Sequence, residues 1–143
     1  MAFGYQTITE EKISENSWNT LAKLIDSNKL TGWTILASYP RDNDSVPAIV
    51  IKNPISYITP KSTDNSVKVV TMDITFKVYD KLRNGTKIID YGKDNIRNTI
   101  ISNFTTLMTY GLRYEGIQDS DTSPTEDEQM NEGELRVMFT KIN

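Results

Sequence analysis

Val70, Met72, Ile74, Phe76 and Val78 alternate with Thr71, Asp73, Thr75, Lys77 and Tyr79. Successive side chains of a strand point to opposite faces, so this run is a half-buried β-strand with one apolar and one polar face. The constraint is severe, because an apolar sheet face must be covered by a second layer, and one or two strands alone are not stable in water. The rest of the chain has to supply this strand with neighbours and a cover.

The neighbours are legible. Leu135, Val137 and Phe139 alternate with Arg136, Met138 and Thr140, a second strand that ties the C-terminal segment into the sheet. Pro47 opens the apolar run Ala48-Ile49-Val50-Ile51, while Pro54 and Pro60 bracket Ile55-Ser56-Tyr57-Ile58 as an extended edge continuation. With the turn cluster 61–66 between them, residues 47–58 and 67–79 are expected to pair as a long antiparallel hairpin. Residues 33–39, closed by Pro40, and residues 112–118 read as further strands.

The cover is helical. Trp18, Leu21, Leu24 and Ile25 mark one apolar face from about Ser14, with Ser14, Asn16 or Ser17 as the cap and Gly32 in the exit. Asn84-Gly85 marks a tight turn. A second helix is expected from Asp90, its N-cap, to Tyr110, with Ile96, Ile100, Phe104, Leu107 and Gly111 in one stripe and Gly92 weakening its first turn. The order predicts an α+β fold: a mostly antiparallel sheet with two amphipathic helices packed on it. Its 143 residues suit a single domain, 1–143, with residues 1–13 as a loosely ordered arm.

Composition narrows the chemistry. The chain has no cysteine and no histidine, which excludes disulfides, thiolate nucleophiles, zinc-thiolate sites, His-based triads and His-ligated metals. An enzyme would have to run on carboxylates, Lys, Tyr or a metal held by oxygen. No apolar run is long enough for a membrane span, and the opening residues carry no secretory signal, so neither a membrane role nor export is expected.

Seven acids and no Lys or Arg lie between Asp119 and Glu134, leaving 16 basic against 12 acidic residues elsewhere. Segment 119–134 is expected to be a solvated acidic loop. Asp119-Ser120-Asp121 hints at a calcium loop, but Pro124 and Met130 stand where an EF-hand needs Gly and Glu. Glu126, Asp127 and Glu128 are adjacent acids on a loop, not the fixed carboxylate pair that glycoside hydrolysis needs. No catalytic residue, cofactor or metal site is expected. Lys61, Lys68, Lys77, Lys81, Arg83 and Lys87, with Tyr57 and Tyr79, would together offer a nucleic-acid surface, against the simpler reading of a lysine-protected sheet edge.

An amphipathic helix, a strand ending Tyr39-Pro40, the proline-led strand Pro47-Ala48-Ile49-Val50-Ile51, a long strand ending Phe76-Lys77-Val78-Tyr79-Asp80, a long helix and two closing strands follow one another. This layout, over residues 14–143, resembles that of the tail-terminator or tail-completion proteins of tailed bacterial and archaeal viruses. The resemblance implies a structural virion protein without catalytic residues. It would form a homohexameric ring at the head-proximal end of the tail, stop growth of the tube of tail-tube protein, and dock to a neck or head-closure protein, meeting DNA only incidentally in a channel. Ring closure needs heterologous contacts repeated by rotation. The candidate donors are the solvent-side face of strand 67–79 and the extended segment 54–66, that is Tyr57, Ile58, Thr71, Asp73, Thr75, Lys77 and Tyr79. The alternatives are a head-closure, stopper or other neck connector protein, a small nucleic-acid-binding module, and a carboxylate or metal-dependent enzyme using Glu126, Asp127 and Glu128.

Overall fold

The computed structural model describes residues 13–37, 40, 46–52, 54–60, 68–125 and 129–142. The expected arm 1–13 lies outside these residues except for Ile13, as do Ser38, Tyr39 and the turn cluster 61–66. The elements in order are α1 (Ile13–Asn28), β1 (Thr34–Leu36), β2 (Ala48–Ile51), β3 (Ile55–Pro60), β4 (Lys68–Lys81), a 3₁₀ turn (Leu82–Asn84), α2 (Lys87–Ser102), α3 (Phe104–Thr109), β5 (Arg113–Pro124) and β6 (Met130–Ile142). The fold is α+β. Six strands form one sheet in the order β1-β2-β4-β6-β5, with β3 also paired to β4.

The alternating run is the centre of that sheet. β6 pairs antiparallel with β4 from Val69↔Ile142 to Lys81↔Met130. On the other side of β4 lie β2, from Ala48↔Tyr79 to Ile51↔Phe76, and β3, from Ile55↔Asp73 to Pro60↔Lys68. The expected hairpin partner is thus one strand in two pieces, bridged by the Lys52 N–H donating to the Thr75 carbonyl at 3.0 Å. Pro54, which has no N–H to give the ladder, accounts for the break. β1 is shorter than residues 33–39 suggested, and it joins β2 in parallel, the one departure from an antiparallel sheet.

The helices cover one face. Val70, Met72, Ile74, Phe76 and Val78 of β4, with Leu135, Val137 and Phe139 of β6, are fully buried against Leu21, Ala22 and Ile25 of α1 and Ile89, Ile96 and Ile100 of α2. Each such side chain contributes roughly 1.5–3 kcal/mol on burial. Ser17 is not a cap: it lies inside α1, fully buried, with its hydroxyl 3.3 Å from Met72 Sδ. Trp18 Nε1 donates to the Ile51 carbonyl at 2.8 Å, pinning α1 to the end of β2.

The second helix departs from expectation at three points. It starts at Lys87, so Asp90 lies in its first turn and Thr86 holds the cap position. It breaks at Asn103, whose side-chain amide donates to the Thr99 carbonyl at 2.7 Å, so the described residues form three helices rather than two. Phe104 is 51% exposed, whereas Leu107 is buried. Steps of four residues advance about 40° past a full turn. Two of them carry Phe104 off the line of Ile96, and the step of three to Leu107 returns to it. Gly111 does take the left-handed conformation, φ 85°, as does Gly32, φ 89°.

Most of the described part of the acidic segment is strand, not loop: residues 119–124 complete β5 and residues 130–134 begin β6, paired with each other at the sheet edge, while residues 126–128 lie outside the described residues. Acids separated by Ser, Thr and Gly hid strands that pair with each other rather than burying an apolar face.

Gly92 sets how closely α2 approaches the sheet. A Cβ there would lie 2.5 Å from Trp33 Cη2 and 2.7 Å from Val78 Cγ1. Alanine gains roughly 1 kcal/mol over glycine inside a helix, but overpacking a fixed ring costs about 1–3 kcal/mol. We expect Gly92→Ala to lower the midpoint of urea unfolding; a raised midpoint would mean that Trp33 yields and the helix–sheet spacing is set elsewhere.

Candidate functional site

The sheet face turned away from the helices carries the polar half of β4. Its cross-strand rows run Tyr57–Thr71–Thr140–Arg113, then Ile55–Asp73–Met138–Gly116, then Thr75–Arg136–Gln118. Thr71, Asp73, Thr75 and Lys77 are half-buried, because β4 is flanked on both sides. Its own edges therefore have no main-chain groups to offer a neighbour. Toward β2 this face closes altogether: Tyr79 is 3% exposed, beside buried Ala48 and Val50. Tyr79 thus leaves the set of candidate contact residues. Lys77 is engaged within the chain, its Nζ 2.6 Å from Glu132 Oε1.

At β3 the picture changes. Among the described residues nothing pairs with its outer edge. Ile55 and Tyr57 project beside Asp73 and Thr71 at 58% and 59% exposure, the most exposed large apolar side chains described. Ile58 stands between them and Pro60 in the same strand, paired with Val70. Residues 54–60 carry no charge. The sheet's opposite edge, β5, is guarded. It is interrupted by two register shifts, bears exposed Asp121 and ends at Pro124, devices that discourage edge-to-edge pairing.

Asp119, considered above for metal or acid chemistry, is a structural partner. Lys93 of α2, its side chain only 6% exposed, places Nζ 2.8 Å from Asp119 Oδ1 and 2.6 Å from the Ser120 carbonyl. Arg97 adds a second cation, 3.3 Å from Asp119 Oδ2. To reach β5 the lysine crosses β6 at Gly133, where a Cβ would lie 2.6 Å from Lys93 Cε. Among the described residues no group of acids is placed to hold a metal ion. Glu126, Asp127 and Glu128 lie outside them.

The described basic residues are spread along β4 and into α2, and Lys61 lies outside the described residues. Lys68 and Lys81 begin and end β4, about 43 Å apart at 3.3 Å per residue. Lys87 lies over the Tyr91 ring at 5.7 Å, and Tyr79 is buried. Lys81 and Arg83 line a shallow hollow of about 360 Å³ with Leu82 and Gln129. No helix among the described residues is long and apolar enough to cross a membrane.

Sequence reasoning missed two features. Ile55 belongs with Tyr57 by alternation alone. On the far side of the sheet, Ile101, Phe104 and Met108 are exposed at 47%, 51% and 51%. The available signal was the lack of any charged residue between Arg97 and Arg113. Compared with protein-family models and with curated proteins, the chain matches none.

The Lys93–Asp119 contact predicts an order of effects. Asp119→Ala leaves a buried ammonium short of its partner, at a cost of order 1–3 kcal/mol. Lys93→Met replaces it with an apolar chain of similar length and is expected to cost less, because buried ion pairs are often replaceable by apolar groups. Thermal unfolding of the two variants gives the comparison; the reverse order would mean that the ammonium is needed for itself.

Proposed function

We propose that the chain is a structural protein of a tailed virus particle, the terminator that assembles as a homohexameric ring at the head-proximal end of the tail, stops the tail tube and docks to the neck. The observation that carries this reading is the pair Ile55 and Tyr57 on the uncharged strand β3, both more than half exposed and the most exposed large apolar side chains among the described residues. Exposed apolar side chains on an uncharged surface of this kind mark a site of contact with another chain. The α+β layout agrees with the one that prompted the resemblance. Tyr57 and the half-buried face residues Thr71, Asp73, Thr75 and Lys77 form the proposed contact; Ile58, in register with core residue Val70, leaves the set.

We expect the purified protein to sediment as a fixed multiple of 16.3 kDa and to appear as a six-fold ring. In its parent particle it should remain with tails detached from heads, whereas a head-closure protein would stay with the portal. A monomer at every concentration, with no retention on tails, would overturn the reading.

A further inference from the structure

Exposed apolar side chains such as Ile55 and Tyr57 need a surface that receives them, and the other apolar patch supplies one. Ile101 is the penultimate residue of α2; Phe104 follows three residues on, in α3, and Met108 four residues after that. Asn103 is hydrogen-bonded to the helix on each side, its N–H on the Thr99 carbonyl at 3.2 Å and its carbonyl accepting from the Leu107 N–H at 2.9 Å. Spacings of three and four residues are those of neighbours on a helix surface, and all three side chains are exposed. Leu107 faces the core; these three do not.

We infer that the Ile101–Phe104–Met108 stripe of one copy receives β3, with Ile55 and Tyr57, of the next. This deepens the assembly proposed above and rests on it. Three features of the chain favour a second copy as the occupant. First, the patches lie at opposite edges of the sheet, since α3 packs on β5 while β3 lies on the other side of β4. One molecule cannot bring them together, but a repeated head-to-tail contact does, and such contacts close rings. Second, neither segment brings a charge of its own to the contact: residues 54–60 and 98–112 contain no charged residue. Third, the area suits such a contact. Half-exposed side chains of this size present about 100 Å² each, so the stripe offers about 300 Å², within the range of the largest apolar patch on a monomer. That is a fitting apolar centre for an interface of about 800 Å² per partner, with the aromatic and Met side chains that interface cores favour.

The experiment uses two exposed positions, Tyr57→Arg and Phe104→Glu, in the full chain. Each variant should keep the wild-type circular dichroism spectrum and a cooperative melt as a folding control, its melting temperature lowered only by the loss of assembly. Each alone should lose assembly by at least tenfold in protein concentration on sedimentation. Mixed one to one they should form a heterodimer of twice 16.3 kDa, because Phe104→Glu retains an intact β3 and Tyr57→Arg an intact stripe. A wild-type protein that stays monomeric would remove both this inference and the ring. Wild-type assembly undisturbed by Phe104→Glu would remove this inference alone. Phe104→Glu that still dimerises with itself while Tyr57→Arg does not would replace it with a symmetric β3–β3 contact.

Discussion

The β4–β6 ladder is the constraint on which the structure depends. It pairs the two long alternating strands along their whole shared length, from Val69↔Ile142 to Lys81↔Met130. Because the register aligns the two alternations, Met72, Ile74 and Phe76 stand beside Phe139, Val137 and Leu135 on one face. A slip by one residue would turn that entire set to solvent. The ladder thus decides both where the helices must sit and which face stays open.

Two glycines let the helix layer close on that ladder. Gly92 admits the Trp33 ring beneath α2, and Gly133 lets Ile89 and the stem of Lys93 press on β6. The second approach has a consequence at the sheet edge, because Lys93 reaches past β6 to hold Asp119 and the Ser120 carbonyl. Part of the acidic segment is in this way drawn into the fold as a counterion and hydrogen-bond acceptor. The edge that it stiffens is also the edge that charge, proline and register shifts protect from further pairing.

The asymmetry between the two edges shapes the functional reading. β5 is charged and irregular, while β3 is neutral, regular and carries exposed Ile55 and Tyr57. A chain without His or Cys is left with carboxylates, Lys and Tyr for proton transfer. Its most individual features are surfaces. A protein that works by shape and repeated contact needs those surfaces at opposite edges, where β3 and the α2–α3 stripe lie.

Local pattern alone determined β4, β6, the apolar faces of α1 and α2, and the left-handed turns at Gly32 and Gly111, since alternation, helical spacing and glycine's conformational freedom are properties of neighbouring residues. It also determined the α+β class, because an apolar sheet face and apolar helix stripes have to cover each other. Tertiary structure decided the rest. Only pairing partners reveal that the acids 119–124 belong to a strand, that β4 is central and cannot lend an edge, and that Tyr79 is buried. The same holds for Gly92, read locally as a weakness in a helix and found to be the space that a tryptophan from another element requires. These are outcomes of contact between segments far apart in the chain, and periodicity along one segment carries no information about what lies across from it.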